Sequence, residues 1–229
     1  MATRVLPLIG AIAFAAVGIV WRAWLQRRRF GHSGLMLFRS GRWPQHAREL
    51  LMVVLCAVMG SQAVMYAVDP AALAPLALDS PPQGGPWVLA GALALFGGIA
   101  LTVAAQLDLG ASWRVGIDEG ARPGLVTGGL YRLSRNPIYL ALLVVLVGYF
   151  MLLPTWPSLG VLAASVAGIR SAIGEEERYL QRVYGDDFTA YARDVGRFLP
   201  KLGSMLGGRR TTNGRMRRPA DEQVGGPRR

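Results

Sequence analysis

The sequence predicts an all-α integral membrane protein of about five transmembrane helices, the last two forming a helical hairpin followed by short cytosolic interfacial helices. The chain is 52% hydrophobic and only 17% charged, with a net charge of +11. Two uncharged runs, 28 and 34 residues long, occupy 80–107 and 136–169. Apolar runs of about 18 residues or more are typical of membrane spans. These runs exclude a disordered or purely nucleic-acid-binding basic protein.

Three spans are expected in the first half of the chain, and they are Val5–Trp21, Leu50–Val68 and Trp87–Leu107. The first is not a cleavable signal peptide, because its charged flank follows the apolar run instead of preceding it. The third span contains three glycines, which we expect to allow close helix packing: Gly91, Gly97 and Gly98.

The long uncharged run predicts the hairpin, with arms Ile138–Leu153 and Ser158–Ile173. The prolines of Leu153-Pro154-Thr155-Trp156-Pro157 break the helix between them. Each arm has about 16 residues and spans ~24 Å, which is short for a hydrocarbon core of ~30 Å. Beyond the hairpin, Gly185 is a candidate helix end and Asp186 or Asp187 a candidate cap. The stretch 174–199 therefore predicts two short interfacial helices.

The basic residues predict the orientation, since 24 of the 25 Lys and Arg residues lie on one side and only Arg4 on the other. The positive-inside rule places that side in the cytosol, with the N-terminus outside and the C-terminus inside. Anionic headgroups are the expected partners of the basic loops and tail, and no nucleic acid partner is expected. We divide the chain into membrane helices at 1–107, a catalytic region at 108–200 and a basic disordered tail at 201–229. The compact, Arg-rich chain suggests a prokaryotic plasma membrane protein.

Polar residues concentrate at 110–139 and 170–200, which the antiparallel hairpin brings to one membrane face. Glu175, Glu176 and Glu177 follow the last span directly. Their simplest interpretation is a solvated negative first turn of a helix. The functional alternative is that one or two of them bind ligand hydroxyls or an ammonium group, with Arg135 and Arg170 as the opposite charges. Positively and negatively charged side chains at one membrane face suit a zwitterionic cofactor with an apolar co-substrate. One cysteine and two histidines build no Cys/His zinc site, and no metal is expected.

Two motifs carry a family resemblance. The run LVTGGLYRLSRNPIYLA is followed about 35 residues later by EExxL and then by YGxxFxxYxxxVxRFLP. Together they resemble the isoprenylcysteine carboxyl methyltransferase and phospholipid methyltransferase group of membrane enzymes, over roughly 108–200. The resemblance implies S-adenosylmethionine (SAM) as methyl donor, held at the cytosolic ends of the last two spans under the C-terminal helices. It also implies a lipophilic acceptor, a small molecule or a lipid, that enters from the bilayer. Carboxyl or O-methylation is favoured.

The resemblance also implies site residues. The expected cofactor-binding residues are Leu125, Val126, Tyr131, Arg135, Asn136, Pro137, Ile138, Tyr139, Glu176 and Glu177. Arg170 is expected to contact the acceptor, and Arg170 and Glu176 are the expected catalytic residues. Arg114 is a second candidate for the acceptor, with a headgroup anchor as its alternative role. We expect Arg135 to pair with the methionyl carboxylate of SAM and Glu176 to bind its ribose or amino group.

Two positions depart from the family pattern, because Asn136 replaces the usual His and Ala141 the usual Gly. An asparagine donates and accepts hydrogen bonds but is no proton acceptor like histidine, so we expect an acceptor other than prenylcysteine. Two other functions stay open: an NADPH-dependent membrane reductase of sterol-reductase type and a non-catalytic membrane scaffold. Binding of SAM, of NADPH or of neither separates the three. Ion transport is disfavoured, since the spans carry almost no ionisable groups at membrane depth.

Overall fold

The computed structural model describes residues 2–35, 37–38, 43–79, 84–114 and 124–200, without the side chains of Ala2 and Pro44. Helices make up most of these ranges, which confirms the predicted all-α class. The α-helices are α1 Leu6–Ala13, α2 Arg22–Phe30, α3 Trp43–Val68, α4 Gly85–Leu109, α5 Pro137–Leu152 and α6 Trp156–Asp194. A π-helical stretch, Phe14–Trp21, joins α1 to α2. Short 3-10 helices occupy Ala2–Val5, Pro70–Leu76, Gly110–Ser112 and Gly129–Arg132. The predicted tail 201–229 lies outside the described residues.

Four helical segments are long and apolar enough to cross a membrane, and they are Thr3–Phe30, Gln45–Val68, Gly85–Ser112 and Trp156–Asp194. The fifth apolar helix, α5, has 16 residues and is as short as the sequence predicts. The protein is therefore a multi-pass membrane protein.

A buried arginine at the start of α2 connects this helix to the end of α4. Arg22 is 1% exposed and donates hydrogen bonds to the carbonyl oxygens of Gln106 and Gly110, at 3.1 and 2.9 Å. Its guanidinium also lies over the Trp113 ring, 4.6 Å from the centroid. The last carbonyls of a helix have no partner within the helix, and Arg22 supplies donors at this end; the Gly110 carbonyl also accepts from the Trp113 backbone N–H, at 3.2 Å.

Helices α4 and α5 pack with their backbones in contact. A Cβ atom at Gly148 would lie 2.3 Å from the Leu95 backbone nitrogen, and Gly91 and Gly98 face α5 almost as closely. These contacts confirm the packing role predicted for Gly91 and Gly98. The same prediction is wrong for Gly97, around which there is open space for a Cβ atom.

The predicted hairpin is present, and one threonine organises its turn. Thr155 and Ser158 form a reciprocal capping box at the start of α6. The Thr155 hydroxyl also donates a hydrogen bond to Gln62 Oε1 of α3, at 2.7 Å. The turn between α5 and α6 is thereby held against α3.

The two interfacial helices predicted within 174–199 are confirmed in part. The first is not separate from the last span, because regular helix runs from Trp156 past the glutamates. The break predicted at Gly185 is present, with φ 49° and ψ −117°, and a second helix follows it up to Asp194. The Gln181 amide and the Thr189 hydroxyl both donate to the Gly185 carbonyl, at 3.2 and 3.1 Å, and so connect the two helices across this kink of α6.

Thr155→Ala is expected to lower the free energy of unfolding by about 1–2 kcal/mol, because it removes the cap of α6 and leaves buried Gln62 without its donor. The thermal midpoint of the detergent-purified protein measures this loss. Ser171→Ala, at an exposed position of the same helix, is the matched control. An equal midpoint for the two variants would contradict the capping role.

Candidate functional site

Three consecutive carboxylates on α6 form the centre of the polar cluster. Successive residues of an α-helix are rotated by about 100°, so Glu175, Glu176 and Glu177 point to three different sides of α6. Each reaches a different part of the fold. Glu175 pairs with Arg48 of α3, Glu176 with Tyr139 of α5, and Glu177 with arginines outside the helices.

Glu177 serves the structure of this cluster. Its carboxylate lies 3.3 Å from Arg135 Nη2. Arg197 binds the same carboxylate with two nitrogens, Nη2 at 2.5 Å and Nε at 3.2 Å. Such a two-point pair fixes orientation as well as distance. Glu177 therefore holds the entry to α5 and the segment after α6 together.

Glu176 has a different environment from its neighbours. The Tyr139 hydroxyl donates a hydrogen bond to its carboxylate, and no cationic partner is seen among the described residues. The side chain is exposed, although it lies in a crowded part of the protein whose burial acts on its pKa. An exposed side chain in such surroundings is expected at a concave part of the surface. A carboxylate there, uncompensated by a cation, is suited to a positively charged or hydroxyl-bearing ligand.

The surroundings of Glu176 act on its protonation. It lies beyond the uncharged, membrane-crossing part of α6. Burial raises the pKa of the Glu176 carboxyl above its usual range; the Tyr139 hydrogen bond opposes this rise, and the negative charge of Glu177 adds to it. A raised pKa in a concave site is a mark of functional residues.

Tyr131 is a second aromatic neighbour of Glu176. It is buried in the short helix Gly129–Arg132, and its backbone carbonyl accepts a hydrogen bond from the Tyr191 hydroxyl at 2.7 Å. Burial raises the pKa of the Tyr131 phenol, and the nearby charge of Glu176 raises it further. The phenol is therefore a neutral donor beside an acidic group.

A segment at 195–198, called here the strap, closes over the start of α5. The Arg135 backbone N–H donates to the Gly196 carbonyl at 2.9 Å. The Ser134 hydroxyl and the Asn136 amide both donate to the Arg197 carbonyl, each at 3.2 Å. The side-chain amide of Asn136 thus holds the strap, although the sequence predicts it as a cofactor contact.

A cleft of about 140 Å³ lies on the strap side of α6, and its lining is Arg170, Ile173, Arg197 and Phe198. Arg170 is exposed, and within the described part of the chain it shows no hydrogen bond or ion pair. An arginine beside two apolar side chains is suited to an anionic group that is attached to an apolar molecule.

The remaining predicted residues lie in three separate parts of the chain. Pro137 is buried at the first turn of α5, and Ile138 is half-buried beside Tyr139. Leu125 and Val126 are half-buried in the segment 124–128, outside the contacts described above. Arg114 is half-buried directly after Trp113, at the end of a described range.

Sequence reasoning missed three contributors to the cluster: Arg48, Tyr191 and Arg197. In the sequence, Arg48 is one of several basic residues predicted in a cytosolic loop. Only the three-dimensional fold shows its partner. Tyr191 and Arg197 belong to the motif YGxxFxxYxxxVxRFLP. That motif indicated a function, but it did not show which of its atoms are in contact with the rest of the site.

Comparison with known proteins agrees with the motifs. The phospholipid methyltransferase family model matches residues 87–187, a range that contains α4 from Trp87 onward, α5 and all three glutamates. The match confirms the predicted resemblance and extends it back to include α4. No curated protein matches the chain significantly.

Proposed function

We propose, from the place of residues 87–187 in the phospholipid methyltransferase family, that this protein transfers a methyl group from SAM to a lipophilic acceptor. The reaction takes place at the membrane face where α5 begins and α6 carries its glutamates. The observation that supports this most is Glu176, an exposed carboxylate in a crowded part of the protein and free of any described cation. By the positive-inside rule, this face is cytosolic.

The residues at Glu176 fit the cofactor. SAM carries a sulfonium and an ammonium group, and a carboxylate without a protein cation is their natural complement. Tyr131 and Tyr139 lie beside it, and aromatic faces attract such cations. When bound, SAM supplies a methyl group on a positively charged sulfur that is open to displacement.

The chain supplies position and charge. Glu176 binds the ribose hydroxyls or the ammonium group, and Tyr139 orients Glu176 by its hydrogen bond. Arg135 was expected to bind the methionyl carboxylate, but it already pairs with Glu177 at 3.3 Å. In this proposal Arg135 and Glu177 therefore stabilise the structure around the site and do not contact the cofactor. Holding donor and acceptor close and aligned contributes roughly 7–11 kcal/mol to such reactions.

The cleft at Arg170 is the proposed acceptor site. The Arg170 guanidinium, for which the described residues show no partner, binds an anionic group, while Ile173 and Phe198 contact the apolar part of the molecule. This arrangement suits carboxyl or O-methylation of a membrane-delivered acceptor, because a carboxylate needs no general base.

Isothermal titration calorimetry of the detergent-purified full chain tests the cofactor. We expect saturable binding of SAM and of S-adenosylhomocysteine (SAH), and none of NADPH. Transfer of a labelled methyl group from SAM into an extract of membrane lipids then tests the reaction. A folded sample that binds neither SAM nor SAH would overturn the proposal, and NADPH binding in its place would indicate a reductase.

A further inference from the structure

One contact ties the N-terminal helices to the candidate site. Arg48 lies in the first turns of α3, outside the range 87–187 that matches the family. Its guanidinium pairs with Glu175 of α6. The two side chains keep only 26% and 31% exposure, so the pair is partly shielded from water. The positive charge of Arg48 also reaches the Tyr139 hydroxyl, which bonds Glu176.

Helix geometry shows what this contact does. Because consecutive side chains are rotated by about 100°, the rotation of α6 about its axis decides which carboxylate faces Tyr139. Contacts on three sides of α6 fix that rotation. Glu175 contacts Arg48, Glu176 contacts Tyr139, and Glu177 contacts both Arg135 and Arg197. A turn of α6 by one residue would present Glu175 or Glu177 to Tyr139 in place of Glu176.

We infer that Arg48 is a positioning residue of the site: by holding Glu175 it sets the rotation of α6 that aims Glu176 at Tyr139. It also neutralises one of the three neighbouring carboxylates, which reduces their mutual repulsion. The site is therefore incomplete without α3, although the family match begins only after that helix. The ligand-binding part of this inference rests on the proposed function; the positioning of α6 does not.

Arg48→Gln in the full chain tests the inference by two readouts. Hydrogen exchange, followed by mass spectrometry, is expected to become faster in α6 around residues 171–184. SAH is expected to bind roughly fivefold more weakly, which corresponds to the loss of about 1 kcal/mol for such a pair. The thermal midpoint is expected to change little, since a tie at one helix end contributes little to global unfolding. Arg27→Gln, at an exposed position of α2, is the matched control and is expected to leave both readouts unchanged.

The double variant with Arg48→Glu and Glu175→Arg separates positioning from a general structural effect. It restores the pair with reversed charges, so exchange and SAH affinity are expected to return to within about twofold of the parent. Unchanged exchange and affinity in Arg48→Gln would overturn the inference, as would a folded double variant without recovery. If the parent binds no SAH, the proposed function fails, and the exchange data alone decide whether Arg48 positions α6.

Discussion

Glu176→Gln is expected to raise the dissociation constant of SAH about 10- to 100-fold. Hydrogen bonds to a charged group contribute roughly 1.5–3 kcal/mol, and each 1.4 kcal/mol is about tenfold in affinity. Glutamine keeps the shape but loses the negative charge that faces the concave space and the Tyr139 hydroxyl. For SAM, which carries an additional positive charge, the loss is expected to be larger than for SAH. Titration calorimetry of the two ligands measures both numbers.

Asp187→Asn is the matched control, because it removes a carboxylate at an exposed position of the same helix; its affinity should equal the parent's. The pH dependence is a second check. Under the proposed function SAM binds the ionised form of Glu176, whose pKa is raised, so affinity is expected to fall as the pH drops through that raised value. The fall begins at a higher pH than for an ordinary glutamate, and it is absent in Glu176→Gln. Equal affinities of the two variants would remove Glu176 from the site.

Gly148→Ala is expected to lower the free energy of unfolding by about 3 kcal/mol, the upper range for overpacking in a closely packed interior. A methyl group at this position would lie 2.3 Å from the Leu95 backbone nitrogen. No side chain can move aside there, so α4 and α5 must separate. Small residues at helix interfaces in membranes allow this close approach, and packing is a main driving force of association in lipid. The expected result is a lower thermal midpoint and a smaller monodisperse fraction in detergent.

Gly97→Ala is the matched control, because it makes the same change in α4 at a position with open space around it. Alanine favours helices over glycine by up to about 1 kcal/mol, so this variant is expected to be as stable as the parent or slightly more stable. A Gly148→Ala protein with the thermal midpoint of Gly97→Ala would contradict the close packing of α4 on α5.

The sequence predicts the fold where local signals agree with the global arrangement. The two prolines around Thr155 interrupt an uncharged run in the middle, so a hairpin is the simplest solution, and the structure has it. The meeting of Arg135 with the glutamates of α6 follows from that hairpin, because its arms are antiparallel. The glycine prediction succeeds only in part, since spacing alone does not tell which face of α4 meets α5.

The remaining features depend on contacts that no local pattern contains. Gly185 interrupts the helix as its residue type predicts, but no local signal shows that the helix before it continues from the last span past the glutamates. The pairing of Arg48 joins residues 127 positions apart. Asn136 matches a cofactor motif by position, but the strap that its amide holds is visible only in three dimensions.

The length of α5 determines how deep its two ends lie in the membrane. Its 16 residues rise about 24 Å, some 6 Å less than the hydrocarbon layer of about 30 Å. Mismatch of this kind is relieved by bending the lipid surface inward or by sinking one helix end, at a fraction of a kcal/mol per Å. Either response brings Tyr139, in the first turn of α5, nearer to the acyl chains. Under the proposed function, an acceptor dissolved in the bilayer would then reach the site by lateral diffusion, without being extracted into water, and membrane thickness would affect how fast it arrives.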